Sequence, residues 1–286
     1  MMEVKLEVRM KLDRYDISGR TALITGASGL LGFEHCIALL DIGADLVLTD
    51  INEEHLKKSQ KKLQDHKKKA NIHSFVMDVT DKAQVEEVNK SLKKQGIRLD
   101  ILINNAALNP KVDKDDSLKE SSRLENFSLD QWNLELAVGL TGSFICSQVF
   151  GSEMAKNNSG GVILNIASDL SIISPDQRLY RAENCPEDSQ PVKPITYSAI
   201  KSGLIGLTLY LSTYWADKNI RCNALSPGGV YDNQSDEFVR RIESLVPMGR
   251  MASVDEYRST VQYLCSDASS YLNGQNIVVD GGRSVL

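Results

Sequence analysis

Apolar and polar positions along the chain follow two periods in turn. Short runs rich in Val, Ile and Leu predict strands at Thr21 to Thr25, Leu46 to Thr49, Ile72 to Met77, Leu99 to Asn104, Val162 to Ala167, Ile220 to Leu225 and Asn276 to Val279. Between them the period is helical. Phe33 to Ile42 is an apolar helix, Val85, Val88 and Leu92 recur at i, i+3 and i+7 behind a Thr80-Asp81 cap, and Ser128 caps a helix through Trp132, Leu136 and Leu140. Strands alternating with helices in this way predict an α/β fold, a parallel sheet with crossover helices. No internal repeat or low-complexity linker divides the chain, so residues 18–286 are expected to form one domain behind an N-terminal extension, residues 1–17.

Three segments break the rhythm. Lys57 to Lys69 is Lys-rich around Leu56 and Leu63, which favours a solvated helix face over a nucleic-acid patch. Pro175 to Pro194 has Pro, Asp, Glu, Asn and Gln without any period, and reads as a long loop of the kind that carries function, within an insertion at about residues 172–194. Near the start, Val4, Leu6, Val8 and Met10 alternate, compatible with an extra edge strand, a partner contact or a disordered extension.

Composition narrows the class. Of the 286 residues 42% are hydrophobic and 25% charged, as in an ordinary globular protein. Thirty-three Lys and Arg against 38 Asp and Glu leave a net charge of −5, which argues against a nucleic-acid partner. The longest uncharged run, Leu136 to Ser152, is broken by glycine, serine and threonine and reads as a buried helix, not a membrane span. The first residues hold no apolar leader segment, so a cytoplasmic enzyme is expected. Five cysteines, odd in number and never in a C-x-x-C pair, are expected to be reduced. The four histidines lack metal-ligand spacing, which disfavours a zinc enzyme or a Ser-His-Asp hydrolase, and no metal is expected.

The chemistry begins at the first strand. Thr25-Gly26-Ala27-Ser28-Gly29-Leu30-Leu31-Gly32 follows it directly and runs into a helix. Glycines there remove Cβ atoms, so that backbone N–H groups and the positive helix end can approach a pyrophosphate. Asp50 ends the second strand, followed by Ile51. A carboxylate there can accept from both ribose hydroxyls of NAD and repel the 2′-phosphate of NADP, while also capping the next helix. With no Arg or Lys inside the glycine loop, NAD is the expected cofactor.

Further motifs stand in order along the chain: Asn104-Asn105-Ala106-Ala107, Tyr197-Ser198-Ala199-Ile200-Lys201, Pro227-Gly228, and the ending Gly274 to Gly282. With the glycine loop they give a chain that resembles the classical short-chain dehydrogenase/reductase family from about Thr21 to Gly282. The resemblance implies a Rossmann-type doubly wound parallel sheet of about seven strands in three α/β/α layers, and a homodimer or homotetramer. It assigns Gly26, Ser28, Leu30, Leu31, Gly32, Asp50 and Ile51 to the cofactor, Asp78 and Val79 to adenine, and Asn105 and Ala106 to the cofactor cleft. Pro227, Gly228 and Val230 are assigned to the nicotinamide, and Ser168 to the substrate oxygen. Tyr197 and Lys201 are one helical turn apart and can face one cleft. An ammonium beside a phenol favours phenolate and draws its pKa from about 10 toward neutrality. Tyr197 can then exchange a proton with the substrate oxygen while hydride passes to or from nicotinamide. By resemblance Lys201 also holds the nicotinamide ribose.

Some positions depart from the family's pattern. Leu30 stands where glycine is usual, and the spacing of Gly26, Gly29 and Gly32 is similar to that of nucleotide-sugar epimerases and dehydratases. Gly139 stands where an Asn usually supports a water relay to the lysine, so water or another group is expected to fill that role. Asp232 replaces the usual threonine. The chain between Ser168 and Tyr197 is longer than usual, and the excess is the insertion, which is expected beside the substrate mouth. There Arg178 and Arg181 can clamp a phosphate or carboxylate and Tyr180 can stack on a ring; alternatively the arginines pair with Asp176, Glu183, Glu187 or Asp188. These features together resemble a bacterial subgroup similar to oxidoreductases of surface-sugar and flagellin-glycan pathways.

The leading expectation is an NAD-dependent oxidoreductase that interconverts a secondary alcohol and a ketone on a small polar molecule, an anionic sugar derivative, with no nucleic-acid or membrane partner. Two alternatives stand beside it: an epimerase or dehydratase that retains and recycles NAD, and a non-catalytic NAD-binding sensor or scaffold.

Overall fold

The computed structural model describes residues 13–108, 122–157, 160–182 and 185–286. The alternating segment Val4 to Met10 and the loop residue Glu183 lie outside these. Seven strands, β1 (Thr21–Thr25), β2 (Asp45–Asp50), β3 (Ile72–Val76), β4 (Ile101–Asn104), β5 (Gly161–Ile166), β6 (Ile220–Pro227) and β7 (Asn276–Val279), form one parallel sheet in the order β3-β2-β1-β4-β5-β6-β7. The chain winds outward from β1 to β3, crosses back, and winds outward again from β4 to β7. The reversal leaves a crevice above the carboxyl ends of β1 and β4. Strand ends differ from expectation by one or two residues. β4 starts at Ile101 because Asp100 turns its carboxylate to the Thr21 amide at 3.0 Å, and β6 runs on to Pro227, whose missing N–H is harmless at a strand end.

Helices cover both faces of the sheet. α1 (Leu30–Asp41) begins three residues earlier than its apolar pattern because the glycine loop itself forms the first turn. α2 (Glu53–His66) is capped by Asn52, whose Oδ1 accepts the His55 amide at 2.9 Å, and α3 (Lys82–Lys94) by Asp81, which accepts the Ala83 amide at 2.9 Å. The lysines of α2 lie on a solvated face and pair with glutamates one turn back, Lys57 with Glu53 and Lys58 with Glu54, both at 2.6 Å. Next comes the long helix α4 (Leu129–Lys156), capped by Ser128 and interrupted by π turns at Ala137–Thr141 and Ser147–Gly151. It is followed by α5 (Ile195–Tyr214), α6 (Asp236–Glu243) and α7 (Arg258–Cys265).

Alternate strand residues feed the two cores. Ala22, Ile24, Leu46, Leu48, Ile101 and Ile103 face α1 and α7, while Leu23, Val47, Leu102 and Ile163 face α3, α4 and α5. The apolar run of α4 belongs to the second core through Ile145, Cys146, Phe150 and Met154. Length and composition alone would let α4 cross a bilayer, and this packing accounts for its apolarity.

The insertion is built from 3-10 turns, Gln177–Tyr180 and Glu187–Ser189. Two arginines from outside fix its main chain. Arg241 of α6 donates to the carbonyls of Arg178 and Leu179 at 3.4 and 3.3 Å, and Arg123 donates to those of Glu187 and Gln190 at 3.3 and 3.4 Å. The Gln190 side chain laces the loop internally, taking the Ala182 amide at 2.9 Å and giving to the Cys185 carbonyl at 2.6 Å.

Candidate functional site

The glycine loop bends sharply between β1 and α1. Gly26 adopts φ +61°, a left-handed conformation that favours glycine. At Gly32 a Cβ would stand 2.1 Å from the Gly26 carbonyl oxygen, so the first turn of α1 rests directly on the loop. Asn105, past the end of β4, donates through Nδ2 to the carbonyls of Thr25 and Gly26 at 3.0 and 3.1 Å, and the amides of Asn105 and Ala106 both reach Thr25 Oγ1 at 3.0 Å. These contacts pin the loop to the crevice.

A cavity of about 320 Å³ opens there. Its walls include Gly26, Leu30, Leu31, Gly32, Asp50, Ile51, Asp78, Val79, Asn105 and Ala106, ten of the residues expected to meet the cofactor. Ser28 Oγ is buried in the same loop with no hydrogen-bond partner. An unpartnered buried hydroxyl, a helix N-terminus and a backbone cradle without Cβ atoms are together what a bound phosphate group requires. Asp50 accepts the amides of Ser28 and Asn52, each at 3.0 Å. A carboxylate has about four acceptor positions, so both oxygens retain capacity for ribose hydroxyls. Asp78 takes the amide and hydroxyl of Thr80 at 2.8 and 2.7 Å, which shapes the turn before α3.

The second half of the site lies where β5 ends and α5 begins. Ser168 is the second residue after β5, and Tyr197 and Lys201 sit on the first two turns of α5. The start of α5 is held to α4 by the Thr196 hydroxyl, which donates to the buried carboxylate of Glu135. Lys201 is buried and its Nζ donates to the Ile166 carbonyl at 2.7 Å, 5.7 Å from the centre of the Tyr197 ring. The structure thus brings Ser168, Tyr197 and Lys201 together.

The electrostatics correct one expectation. Tyr197 is pushed above its usual pKa because burial penalises the phenolate; hydrogen bonding with Ser168 opposes this, and the charge of Asp169 adds to it. Lys201 is itself lowered to about 8, first by burial and then by the charge of Lys193. The anticipated downward pull of Lys201 is not among the influences on the phenol, whose shift is set by burial, Ser168 and Asp169, and the lysine's ammonium is engaged by Ile166.

The Gly139 position also resolves. A Cβ there would meet Ile200 Cγ2 at 2.7 Å, so the space open to a side chain is filled by Ile200. The lysine's ammonium donates instead to the Ile166 carbonyl.

The insertion arginines follow the second of the two expected readings, pairing with acids of their own loop. Arg178 grips Asp176 with Nε at 2.9 Å and Nη2 at 2.6 Å, and Arg181 pairs with Glu187. Tyr180 lies against Phe238 of α6, ring centres 5.7 Å apart. The clamp and stacking platform expected of these residues are therefore engaged within the protein, because acidic and aromatic partners lie within one or two turns of loop or on the adjoining helix.

The insertion instead brings Lys193 to the site. Its amide donates to Gln177 Oε1 at 2.8 Å, the Val192 amide donates to Ser122 Oγ at 3.1 Å, and the Lys193 ammonium stands 3.8 Å from the centre of the Tyr197 ring. Sequence reading passed over Lys193; its position one turn before the tyrosine was the available signal. It also passed over a buried polar frame. Asn104 Nδ2 donates to Ser147 Oγ at 3.0 Å and to Asn165 Oδ1 at 2.8 Å, and Asn165 Nδ2 donates to Thr208 at 2.8 Å, tying β4 and β5 to α4 and α5.

Pro227, Gly228 and Val230 lie past β5 at the end of β6. Gly228 donates to the Val279 carbonyl at 2.9 Å, Val230 bridges to Ala252, and a Cβ on Gly228 would stand 2.8 Å from Asp280 Cα. Gly228 lines a separate cavity of about 260 Å³ beside β7.

Known proteins resemble this chain in sequence and fold. The family model described as short chain dehydrogenase matches residues 20–182, and a second, described as Enoyl-(Acyl carrier protein) reductase, matches residues 187–284. A D-threitol dehydrogenase of Mycolicibacterium smegmatis is 27% identical over 279 residues, 95% of each chain. An NAD-dependent glycerol dehydrogenase of Listeria innocua is 28% identical over 276 residues, 95% of this chain and 96% of that one. Among solved structures, a gluconate 5-dehydrogenase from Burkholderia cenocepacia in complex with NADP and tartrate superposes with a TM-score of 0.82 at 28% identity, covering 96% of this chain and 99% of that one. With its doubly wound seven-stranded sheet and its crevice for a nicotinamide dinucleotide, the chain belongs to the short-chain dehydrogenase/reductase family and is an oxidoreductase.

Proposed function

We propose that this protein interconverts a secondary alcohol and a ketone on a polyol or sugar-derived substrate, using NAD. The observation that carries this reading is the meeting of Ser168, Tyr197 and Lys201 beside the dinucleotide crevice. Relatives that act on threitol, glycerol and gluconate support the substrate class. Asp50 supports NAD: its carboxylate stands at the end of β2, where the 2′-phosphate of NADP would meet a like charge. The relatives divide on this point, one being NAD-dependent and one holding NADP, and Asp50 is the residue that favours NAD here.

When bound, the dinucleotide supplies the hydride acceptor or donor. The residues of the chain do the rest. Ser168 hydrogen-bonds the substrate oxygen and fixes its distance from Tyr197. Tyr197 gives a proton to that oxygen in reduction and takes one in oxidation. Because burial raises the phenol, Tyr197 rests as the protonated donor near neutral pH. Lys201, with Nζ against the Ile166 carbonyl, carries the charge that stabilises the phenolate in the oxidative direction and has further N–H donors for the nicotinamide ribose.

Incubating the full chain with NAD+ or NADP+ and a panel of polyols, aldonates and nucleotide sugars tests this reading. NADH formation with at least one polyol or aldonate, and a preference for NAD+ of about tenfold or more, is expected. A converted substrate with no net change in NADH would instead identify a recycling epimerase or dehydratase, and NADH binding without any turnover a sensor.

A further inference from the structure

The insertion ends by setting a second ammonium against the reacting tyrosine. Lys193 Nζ stands 3.8 Å and Lys201 Nζ 5.7 Å from the centre of the Tyr197 ring. The main chain around Lys193 is fixed at three successive residues. The Val192 amide donates to Ser122 Oγ at 3.1 Å, the Lys193 amide donates to Gln177 Oε1 at 2.8 Å, and Pro194 fixes the step into α5. None of these anchors uses the lysine side chain, so the loop itself does not call for a charge at this position. Cation–π attraction to the shared ring is set against repulsion between the two ammonium groups, and that repulsion reaches Lys201, which burial first and Lys193 second bring down to about 8. Two carboxylates stand close by, each already engaged. Asp169, beside Ser168, meets Arg283 of the chain's last turn, Nη1 to Oδ2 at 2.8 Å, with side chains only 4% and 8% exposed. Glu135 takes the Thr196 hydroxyl and the Gln131 side chain. Lys193 and Lys201 thus concentrate positive charge around the phenol to which the substrate oxygen must come.

We propose that Lys193 is a substrate-binding residue that receives a carboxylate carried near the reacting carbon, so that the insertion selects aldonates over neutral polyols. This rests on the reaction proposed above and narrows its substrate class. Lys193 lies over the ring whose hydroxyl meets the substrate oxygen, and its flexible stem carries three N–H donors. A carboxylate close to the reacting carbon comes within the sweep of that stem while the oxygen stays with Ser168 and Tyr197. A carboxylate suits the site better than a phosphate. A phosphate dianion calls for forked, bidentate donors of the kind arginine supplies. The insertion's own arginines hold Asp176 and Glu187, and Arg123 and Arg241 hold loop carbonyls. A lysine is a point charge, matched to a single negative charge. Half-buried between ring and loop, its charge-assisted hydrogen bond to a carboxylate is stronger than any contact it makes with the hydroxyl of a neutral polyol.

The test is a specificity ratio measured on the full chain with NAD+: kcat/KM for an aldonate divided by kcat/KM for the polyol that carries CH2OH in place of its carboxylate. D-Gluconate is set against D-glucitol, and D-threonate against D-threitol. The wild type is expected to favour the aldonate by about tenfold or more, Lys193→Met to bring the ratio close to one, and Lys193→Arg to keep most of the preference. Should Lys193→Met fail to fold, Lys193→Gln, which removes the charge and keeps a polar end, is measured in its place. A lysine that only ordered the loop would affect both substrates alike, so an unchanged ratio in Lys193→Met would overturn the proposal. A wild type that prefers the polyol, or that prefers glucitol 6-phosphate to gluconate, overturns it as well. Tyr197→Phe in the same assay separates the two claims. An inactive Tyr197→Phe beside a wild type without aldonate preference removes the role of Lys193 alone. An active Tyr197→Phe, or no NADH from either class with the wild type, removes the reaction beneath it.

Discussion

Gly32 illustrates how much one carbon decides in the crevice. A Cβ there would stand 2.1 Å from the Gly26 carbonyl and 2.8 Å from Asn105 Nδ2. Neither neighbour can swing aside, because one is backbone and the other is held by Thr25 and Gly26. Gly32→Ala is expected to push the loop out of shape and weaken NADH binding by about tenfold or more, the scale of an overpacked site. A fluorescence titration returning the wild-type Kd would contradict this. The glycine spacing made that position legible in the sequence, and the four-residue interval between Tyr197 and Lys201 made their shared face legible. The sign of the shift on Tyr197 was not, because it depends on burial that no local pattern encodes. The Asp169–Arg283 pair was hidden for a related reason: its members stand 114 positions apart, and only folding the last turn onto β5 joins them. Arg178 and Asp176 are two positions apart, and that pairing was accordingly visible as an alternative.

Helix α1 shows the same limit for whole elements. Its apolar composition announced a buried helix, but not that both of its faces are covered. The sheet lies on one side and α7 on the other, where Arg258 Nε grips Glu34 at 2.6 Å and Gln262 donates to the Ala38 carbonyl at 3.0 Å. His35 is therefore enclosed, neither ring nitrogen has a hydrogen-bond partner, and burial pushes its pKa down from 6.5 to about 3. Below about pH 6.5 the unfolded chain binds a proton that the folded chain does not, so this stability is complete above that pH and is lost as pH falls toward 3. The thermal midpoint is expected to fall between about pH 7 and pH 5, and to fall less in His35→Leu; equal slopes in the two proteins would contradict the assignment. In α4 the 3.6-residue period predicted the helix and its Ser128 cap but not its two π turns, since small residues such as Gly139 and Gly142 fit either winding. The insertion was legible as a loop from its lack of period, whereas its delivery of Lys193 to the Tyr197 ring depends on contacts with Ser122 and Gln177 that lie far from it in sequence.

For the molecule as a whole, apolar runs located all seven strands to within about two residues but could not say which lie side by side; the resemblance of motifs implied only a doubly wound sheet, and the strand order is read from the fold. That order places the glycine loop after β1, Asn105 after β4 and Ser168 after β5 on neighbouring strands, and α5 then lays Tyr197 and Lys201 across the same edge. Residues from four separate stretches become one site only at this scale, and the central claim is that this site moves a proton between Tyr197 and a substrate oxygen. The most direct measurement is the rate of NADH formation by Tyr197→Phe on the best wild-type substrate, taken together with the NADH dissociation constant of the same variant. A loss of turnover of about a hundredfold or more is expected, with dinucleotide affinity within about twofold of wild type. A variant that binds NADH and turns over at the wild-type rate would contradict it.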